Sequence, residues 1–318
     1  MTVKKVLCIT IAVCLLLTLC GCGAEPARRG SGPLQIVTTV FPACDFAHVI
    51  AGERASVTLI VPPGAEAHSF EPTPRDLLLI RDCDLFICNG GESESWVEEL
   101  LEGGERERET LVMLECVDAL EEERTEGMQE IPEEHGDGEE EGPEYDEHVW
   151  TSPVNAQRIC RAIAGRLAAL DPAHAAEYET NCETYCGELA ALDAAFRGIT
   201  DGAARRTVVF ADRFPARYFV EEYGLRYFAA FPGCAEDTEP AAGTVAFLID
   251  RVREEELPAV FYIEFSNQKM ADVICEDTGC RKLLFHTCHN VTAAQFREGV
   301  SYLELMRGNL DSLREALN

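Results

Sequence analysis

The sequence has few basic residues. Its 27 lysines and arginines face 57 aspartates and glutamates, giving a formal charge of −30 over 318 residues. A nucleic-acid-binding protein is therefore not expected, because a phosphate backbone binds a surface rich in lysine and arginine. Peripheral attachment to anionic lipid is not expected for the same reason. A cationic ligand, by contrast, would be attracted to such a molecule.

The sequence also lacks the short motifs of several enzyme classes. It has no HExxH motif of zinc proteases, no GxSxG nucleophile elbow and no glycine-rich phosphate loop. A zinc hydrolase is the enzyme hypothesis that survives, since three ligands and an open position would suffice for one. An enzyme is nevertheless the weaker hypothesis, and we expect the protein to catalyse nothing.

Cysteine is abundant, yet no CxxC pair exists among the 15 cysteines, so a zinc cluster held by thiolates is not expected. Eleven cysteines follow residue 22, an odd number without a regular framework of spacings. We expect most of them to be small buried residues that stay reduced. Cys275, Cys280 and Cys288 lie close in sequence and could include one bridge.

The N-terminus carries an export signal. Lys4 and Lys5 precede an almost entirely apolar run at residues 6–19, which is too short to span a bilayer comfortably and is typical of a signal peptide. The segment LCGC at residues 19–22 resembles the bacterial lipobox, in which the cysteine is lipidated and becomes the mature N-terminus. Residues 1–22 are thus predicted to be a lipoprotein signal peptide with Cys22 lipidated, and residues 23–34 a flexible tether. An ordinary cleaved signal is the alternative.

From residue 35 onward, short apolar runs alternate with helical stretches. Such alternation is typical of parallel sheets covered by helices. The strands are predicted at residues 35–40, 56–61, 84–88 and 111–114, then at 207–211, 225–230, 259–264 and 283–285. Between the two sets, a helix is predicted from residue 173 to about 197. The predicted fold is therefore α/β, with two βα lobes (35–170 and 199–318) joined by one long helix within residues 171–198.

The first lobe includes an acidic loop at residues 118–147. This segment holds fifteen acids and one base. It cannot bury enough apolar area to offset its ordering entropy, so we predict a mobile surface loop. His135 within it is interpreted as part of a solvated charge run, with weak metal capture as the alternative.

Two segments resemble metal-ligand segments of the solute-binding proteins of zinc- and manganese-importing ABC transporters. LIVPPGAEAHSFEPTP at residues 59–74 resembles the first ligand loop of that family, and DEHVWTSP at residues 146–153 resembles the second. Further matches follow in order along residues 35–318: YGL at 223–225, EP at 239–240, IE at 263–264 and EDTG at 276–279.

The resemblance implies a metal held in the cleft between the lobes. His68 would come from the first lobe and His148 from the end of the acidic loop. The third ligand of the family follows the first strand of the second lobe, where Asp212 is here the nearest usable ligand. Arg213 could occupy that position under another alignment, and it would then rule out a metal contact.

The fourth ligand lies near the last strand in the family. Here His286 and His289 are both candidates, and the spacing to the flanking motifs does not decide between them. Glu264, at a strand end, could support the ligands from behind or simply pair with a basic residue. Zinc is favoured over manganese or iron(II), because imidazoles predominate in the candidate set.

The resulting hypothesis is a monomeric lipoprotein on the extracytoplasmic face of the cell membrane, anchored through its lipid, that captures a divalent metal for an ABC permease. A manganese- or iron-binding member of the same class and a lipid-anchored adhesin, with a role in cell adhesion, are the alternatives.

Overall fold

The computed structural model describes residues 32–102, 109–129, 144–235 and 240–318. The predicted signal peptide with Cys22, most of the predicted tether and His135 lie outside the described residues. Among the helices described, none combines the length and the apolar character needed to cross a membrane. The elements described below all belong to the unit Leu34–Asn318.

The first lobe is built on a parallel sheet of four strands in the order β2-β1-β3-β4. Its strands are β1 (Leu34–Thr38), β2 (Ala55–Leu59), β3 (Leu85–Cys88) and β4 (Glu109–Val112), and its helices are α1 (Phe41–Ala51), α2 (Pro74–Asp82) and α3 (Ser95–Glu102). All four residues of β3 are buried, as expected of an inner parallel strand covered on both faces.

Helix α2 begins at a capping box that also ends the loop carrying His68. The Thr73 hydroxyl accepts from the backbone N–H of Asp76, and the Asp76 carboxylate accepts from the backbone N–H of Thr73. Pro74 follows at the first helical position, where its fixed φ suits the turn. The C-terminal end of the ligand loop is thereby fixed.

One long helix connects the lobes, and the last helix of the first lobe leads into it. Helix α4 (Pro153–Leu170) leads into α5 (Ala175–Asp201), whose 27 residues span about 40 Å at ~1.5 Å per residue. The predicted long helix is confirmed, and it continues about four residues beyond the predicted end.

The second lobe repeats the design, with strand order β6-β5-β7-β8. Its strands are β5 (Thr207–Phe214), β6 (Arg226–Pro232), β7 (Ala259–Tyr262) and β8 (Arg281–Leu284), and its helices are α6 (Arg217–Tyr223), α7 (Ala242–Glu254), α8 (Lys269–Thr278), α9 (Ala293–Glu298) and α10 (Tyr302–Leu317). The fold class of two βα lobes and one long helix is thus confirmed. The short helix α9 was not predicted.

One large apolar core runs through both lobes and the connecting helices. It contains residues from the first sheet, such as Ile36, and from the second, such as Phe261. Between them lie Phe46, Trp150 and Tyr302, all fully buried. Hydrogen bonds follow the same path, because the Trp150 indole N–H donates to the Thr287 carbonyl (2.8 Å) and the Tyr302 hydroxyl donates to the Trp150 carbonyl (2.6 Å).

The described parts of the acidic segment, residues 118–129 and 144–147, differ from the predicted mobile loop. The backbone N–H of Glu122 donates to the Glu144 carbonyl (2.9 Å), and that of Asp146 donates to the Leu120 carbonyl (2.9 Å). Farther along, the backbone N–H of Gln129 donates to the Ala230 carbonyl of β6 (2.8 Å). The acidic composition of the segment gave no sign of these backbone hydrogen bonds. The segment therefore crosses from the first lobe to the second.

Candidate metal centre

His68 lies in the loop between β2 and α2. A turn closes this loop, with the backbone N–H of Ala65 donating to the Pro62 carbonyl (2.9 Å) and Gly64 at φ 87°. The second lobe holds the same turn, because the Asn290 amide donates to the carbonyls of Pro62 and Ala65, both at 2.9 Å. The His68 side chain is only 4% exposed.

His148 follows the acidic segment and precedes a short 3-10 turn. Its backbone N–H donates to Asp146 Oδ1 (2.8 Å), and its ring Nδ1 lies 3.2 Å from the same oxygen. The contact leaves Nε2 as the free nitrogen, buried and without a hydrogen-bond partner among the described residues. Gly233 packs against the ring, since a Cβ there would lie 3.1 Å from His148 Cε1. This arrangement, with a carboxylate on one ring nitrogen, is the one seen behind metal-bound histidines.

The structure separates the two histidines that the sequence left as alternatives. His289 lies beside the others, with ring centroids 4.6 Å from His68 and 5.2 Å from His148. His286 instead supports its own loop, because its Nδ1 accepts from the backbone N–H of Cys288 (3.0 Å) and its backbone N–H donates to Asn309 Oδ1 (2.8 Å). Cys288 has φ 63°, which turns the chain between the two histidines.

Three imidazoles therefore converge in the cleft. His68, His148 and His289 each offer a ring nitrogen, and these atoms lie within 4.8 Å of one another. His68 Nδ1 and His148 Nε2 are buried without a hydrogen-bond partner in the described part of the chain. Buried polar atoms are rarely left in this state, so a cation among these nitrogens would satisfy them.

The electrostatics favour neutral imidazole at two of the three histidines. Burial lowers the pKa of His68 well below its ordinary value of 6.5, and the neighbouring His148 and Arg213 lower it further. Burial likewise lowers the pKa of His289, assisted by His68 and His148. Neutral imidazole is the form that binds metal.

The pKa of His148 shifts in the opposite direction. Burial alone would lower its pKa, but Asp146, Glu147 and Glu122 together outweigh burial and raise the pKa above the ordinary value. A metal binding at His148 must therefore compete with a proton as the pH falls. The same carboxylates would stabilise a bound cation.

Arg213, and not Asp212, enters the cleft. Strand β5 continues to Phe214, three residues beyond the predicted end, and its pairing with β6 shifts register between Phe210 and Arg213. Because successive side chains of a strand point to opposite faces, the side chains of Asp212 and Arg213 point to opposite faces of the sheet. The Arg213 guanidinium donates to Glu66 Oε2 (3.0 Å) of the first lobe. Asp212 Oδ1 instead accepts from the backbone N–H of Arg213 (2.9 Å). Asp212 is not part of the cluster of three imidazoles.

Glu264 lies behind His289 and organises its loop. Its carboxylate accepts from the backbone N–H of Thr287 (2.8 Å), from the Thr287 hydroxyl (2.5 Å) and from the backbone N–H of His289 (3.2 Å). It also lies 3.6 Å from His286 Nδ1. These hydrogen bonds orient the loop, and Glu264 is not part of the cluster formed by the three imidazoles.

Four residues of the site were missed by sequence reasoning. Asp146 and Glu147 directly precede His148, so their proximity in sequence was a usable signal. Glu122 is indistinguishable from its acidic neighbours, although its carboxylate accepts from the backbone N–H of Gly233 (3.0 Å). Cys234 follows Gly233 after β6 and belongs to no recognisable spacing.

Two βα lobes, a long connecting helix and a histidine-lined cleft between the lobes define the class of two-lobed solute-binding proteins. Residues 36–316 match the family model described as "Zinc-uptake complex component A periplasmic", and the chain belongs to this family. The resemblance stated from the sequence is thereby confirmed. The family consists of non-enzymatic solute-binding proteins of ABC metal importers, which also confirms that an enzyme was the weaker hypothesis.

Several individual metal-binding proteins are similar to the chain. The chain is 30% identical over 332 residues to the "High-affinity zinc uptake system protein ZnuA" of Bacillus subtilis, covering 96% of each chain. It is 28% identical over 320 residues to the "Manganese-binding lipoprotein MntA" of Halalkalibacterium halodurans, covering 99% of each. Among solved structures, the Zn(II)-bound ZnuA-like domain of Streptococcus pneumoniae AdcA is similar, with TM-score 0.72, 27% identity and coverage of 90% of this chain and 99% of that one.

Proposed function

We propose that the protein captures Zn²⁺ through His68, His148 and His289 and delivers it to an ABC permease. The convergence of three buried ring nitrogens, all within 4.8 Å of one another, carries the proposal. Metal capture at such a site requires no catalytic residue. It needs ring nitrogens that are free to bind metal and carboxylates close enough to stabilise a cation, and the site has both.

The donor set favours zinc over manganese. Relatives that bind zinc and relatives that bind manganese match the chain at similar identity, so similarity alone does not select the metal. Imidazole nitrogen suits zinc, whereas manganese prefers a site rich in oxygen. The side chain in the third-ligand region is Arg213, which supplies no lone pair. Asp212 is therefore not a ligand in this proposal, and a water would complete a four-coordinate site.

We further propose that residues 35–170 and 199–318 act as the two lobes around the linking helix, and that Cys22 anchors the mature protein at the outer face of the cytoplasmic membrane. Names of relatives that include "lipoprotein" support an extracytoplasmic, anchored state. Cys22→Ala should release the protein from membranes. A variant that stays in the membrane pellet after a salt wash would contradict the anchor.

Competitive titration tests the site and the metal together. Zinc, manganese and iron(II) are titrated against a chromophoric chelator with the wild type and with His68→Ala, His148→Ala and His289→Ala. Each variant should bind zinc roughly 10–100-fold more weakly, or worse, since even an outer partner of a metal ligand is worth that much. His174→Ala is the matched control, because His174 pairs with Asp171 at the start of α5, away from the cleft.

Two results would overturn the proposal. Tight manganese binding with weak zinc binding would reverse the metal assignment. Undiminished tight zinc binding in all three variants would remove the site. The adhesin alternative stays a prediction from the sequence, and it requires a separate binding assay against an extracellular-matrix ligand.

A further inference from the structure

A thiol lies at the edge of the same cleft. Cys234, in the loop after β6, offers its sulfur to a grouping with Glu147 and His68 in which all ligand atoms lie within 4.8 Å of one another. The loop is held from the acidic segment, because Glu122 Oε1 accepts from the backbone N–H groups of Gly233 (3.0 Å) and Cys234 (3.4 Å). These two hydrogen bonds hold the loop of Cys234, and with it the thiol, against the acidic segment.

A second observation points to a cation at this place. The His68 side chain is 4% exposed, and its Nδ1 has no hydrogen-bond partner among the described residues. That nitrogen lies 3.9 Å from Glu147 Oε2, too far for a hydrogen bond. Glu147 is itself fixed, with its carboxylate accepting from the backbone N–H (2.8 Å) and the hydroxyl of Ser93. An ion between these groups would satisfy the unpaired nitrogen.

We propose that His68, Glu147 and Cys234 form a mixed nitrogen, oxygen and sulfur site for a soft divalent cation, adjoining the three-imidazole site. The inference rests on the proposed function and extends it to a residue outside the imidazole set. On binding, the ion replaces the thiol proton of Cys234, and that proton leaves to solvent.

The two sites hold one ion at a time. They share His68, and two doubly charged ions on one imidazole would repel strongly inside a cleft of low dielectric. The mixed set therefore gives the captured ion a second position at the edge of the cleft. Because thiolate sulfur selects zinc and cadmium over manganese, Cys234 would strengthen discrimination against manganese.

The test uses cobalt(II) and cadmium(II) as probes with the mature chain kept reduced. Bound cobalt should show a sulfur-to-metal charge-transfer band in the near ultraviolet at a stoichiometry of one. Cys234→Ser should abolish the band and weaken cadmium binding roughly tenfold or more, with manganese binding unchanged. Cys83→Ser is the matched control, since the Cys83 thiol contacts the Ile80 carbonyl in the first lobe, away from the cleft.

A measurement on the unaltered chain guards against misfolding of the variant. The alkylation rate of Cys234, followed by mass spectrometry, should fall when zinc is added, and His68→Ala should remove this protection. Tight cobalt binding without a sulfur band, or a band that survives in Cys234→Ser, would overturn the inference and leave the proposed function standing. Absence of tight binding to the wild type would overturn both.

Discussion

Glu94 should make the stability of the protein fall as the pH rises. It ends a 3-10 turn after β3, and one of its carboxylate oxygens accepts from the backbone N–H groups of Asn89 (2.7 Å) and Gly90 (2.8 Å). Burial, assisted by the nearby Glu147, raises its pKa from the ordinary 4.5 to about 7, although the two backbone hydrogen bonds act against this rise. The folded chain thus holds the Glu94 proton more tightly than the unfolded chain does.

The sign and size of the effect follow from this difference. Between pH 4.5 and about 7 the unfolded chain has released the proton and the folded chain still holds it, so raising the pH through this window favours unfolding. A shift from 4.5 to about 7, at ~1.4 kcal/mol per pH unit, amounts to about 3 kcal/mol in full. Most of this loss should appear between pH 5 and 8.

Glu94→Gln isolates the contribution. The amide oxygen can still accept from the two backbone N–H groups, but the side chain no longer ionises. In urea unfolding of metal-free protein, the variant should be more stable than the wild type by less than about 1 kcal/mol at pH 5 and by about 3 kcal/mol at pH 8. Carboxyls remote from Glu94 contribute equally to the wild type and the variant and cancel in the comparison. An equal difference in unfolding free energy at both pH values would refute the reasoning.

Three further predictions concern the cleft and the second lobe. Asp146→Asn should bind zinc roughly tenfold more weakly at pH 8. It should lose less affinity on acidification, because removing the Asp146 charge lowers the pKa of His148 relative to the wild type; parallel pH profiles by chelator competition would contradict this. Arg213→His should tighten zinc binding roughly tenfold or more in the same assay by adding an imidazole where a guanidinium lies; weaker binding would contradict it. Cys275 and Cys280, with sulfurs 3.3 Å apart, should form a disulfide in the exported protein, so that thiol titration finds two fewer thiols than the reduced protein has; an unchanged count would contradict it.

The sequence predicted the sheets well because parallel strands buried on both faces are continuous apolar runs. The inner strands β3 and β5 show this pattern directly, whereas the edge strand β8 is mostly exposed and begins two residues before its predicted start. Helix α9 was missed because its six residues are too few to show a period, and only the Thr292 and Gln295 capping box marks it. The backbone hydrogen bonds in the described parts of the acidic segment were not predicted, because composition does not show which backbone groups find partners.

The site was predictable as far as its loops were recognisable. His68 and His148 stand in segments whose sequence marks them. His286 and His289 are three residues apart in an irregular loop, and the turn at Cys288, with its positive φ, is not visible in the residue pattern. The position of Arg213 depends on the added length and register shift of β5, which no residue pattern displays. Cys234 reaches the cleft only through tertiary contacts.

The apolar core that passes through both lobes limits how the protein can change shape. A wide opening of the lobes would expose rings such as Phe46 and Tyr302 and break the hydrogen bond from Trp150 to Thr287. Exposing large aromatic side chains is expensive, at ~25 cal/mol per Å² of apolar surface. Ion exchange should therefore proceed through shifts of the His68 turn and the His289 loop, joined by Asn290, while the sheets keep their mutual angle. A permease that unloads this protein would then act on the His68 turn and the His289 loop. Small-angle X-ray scattering profiles of metal-free and metal-loaded protein should nearly superimpose.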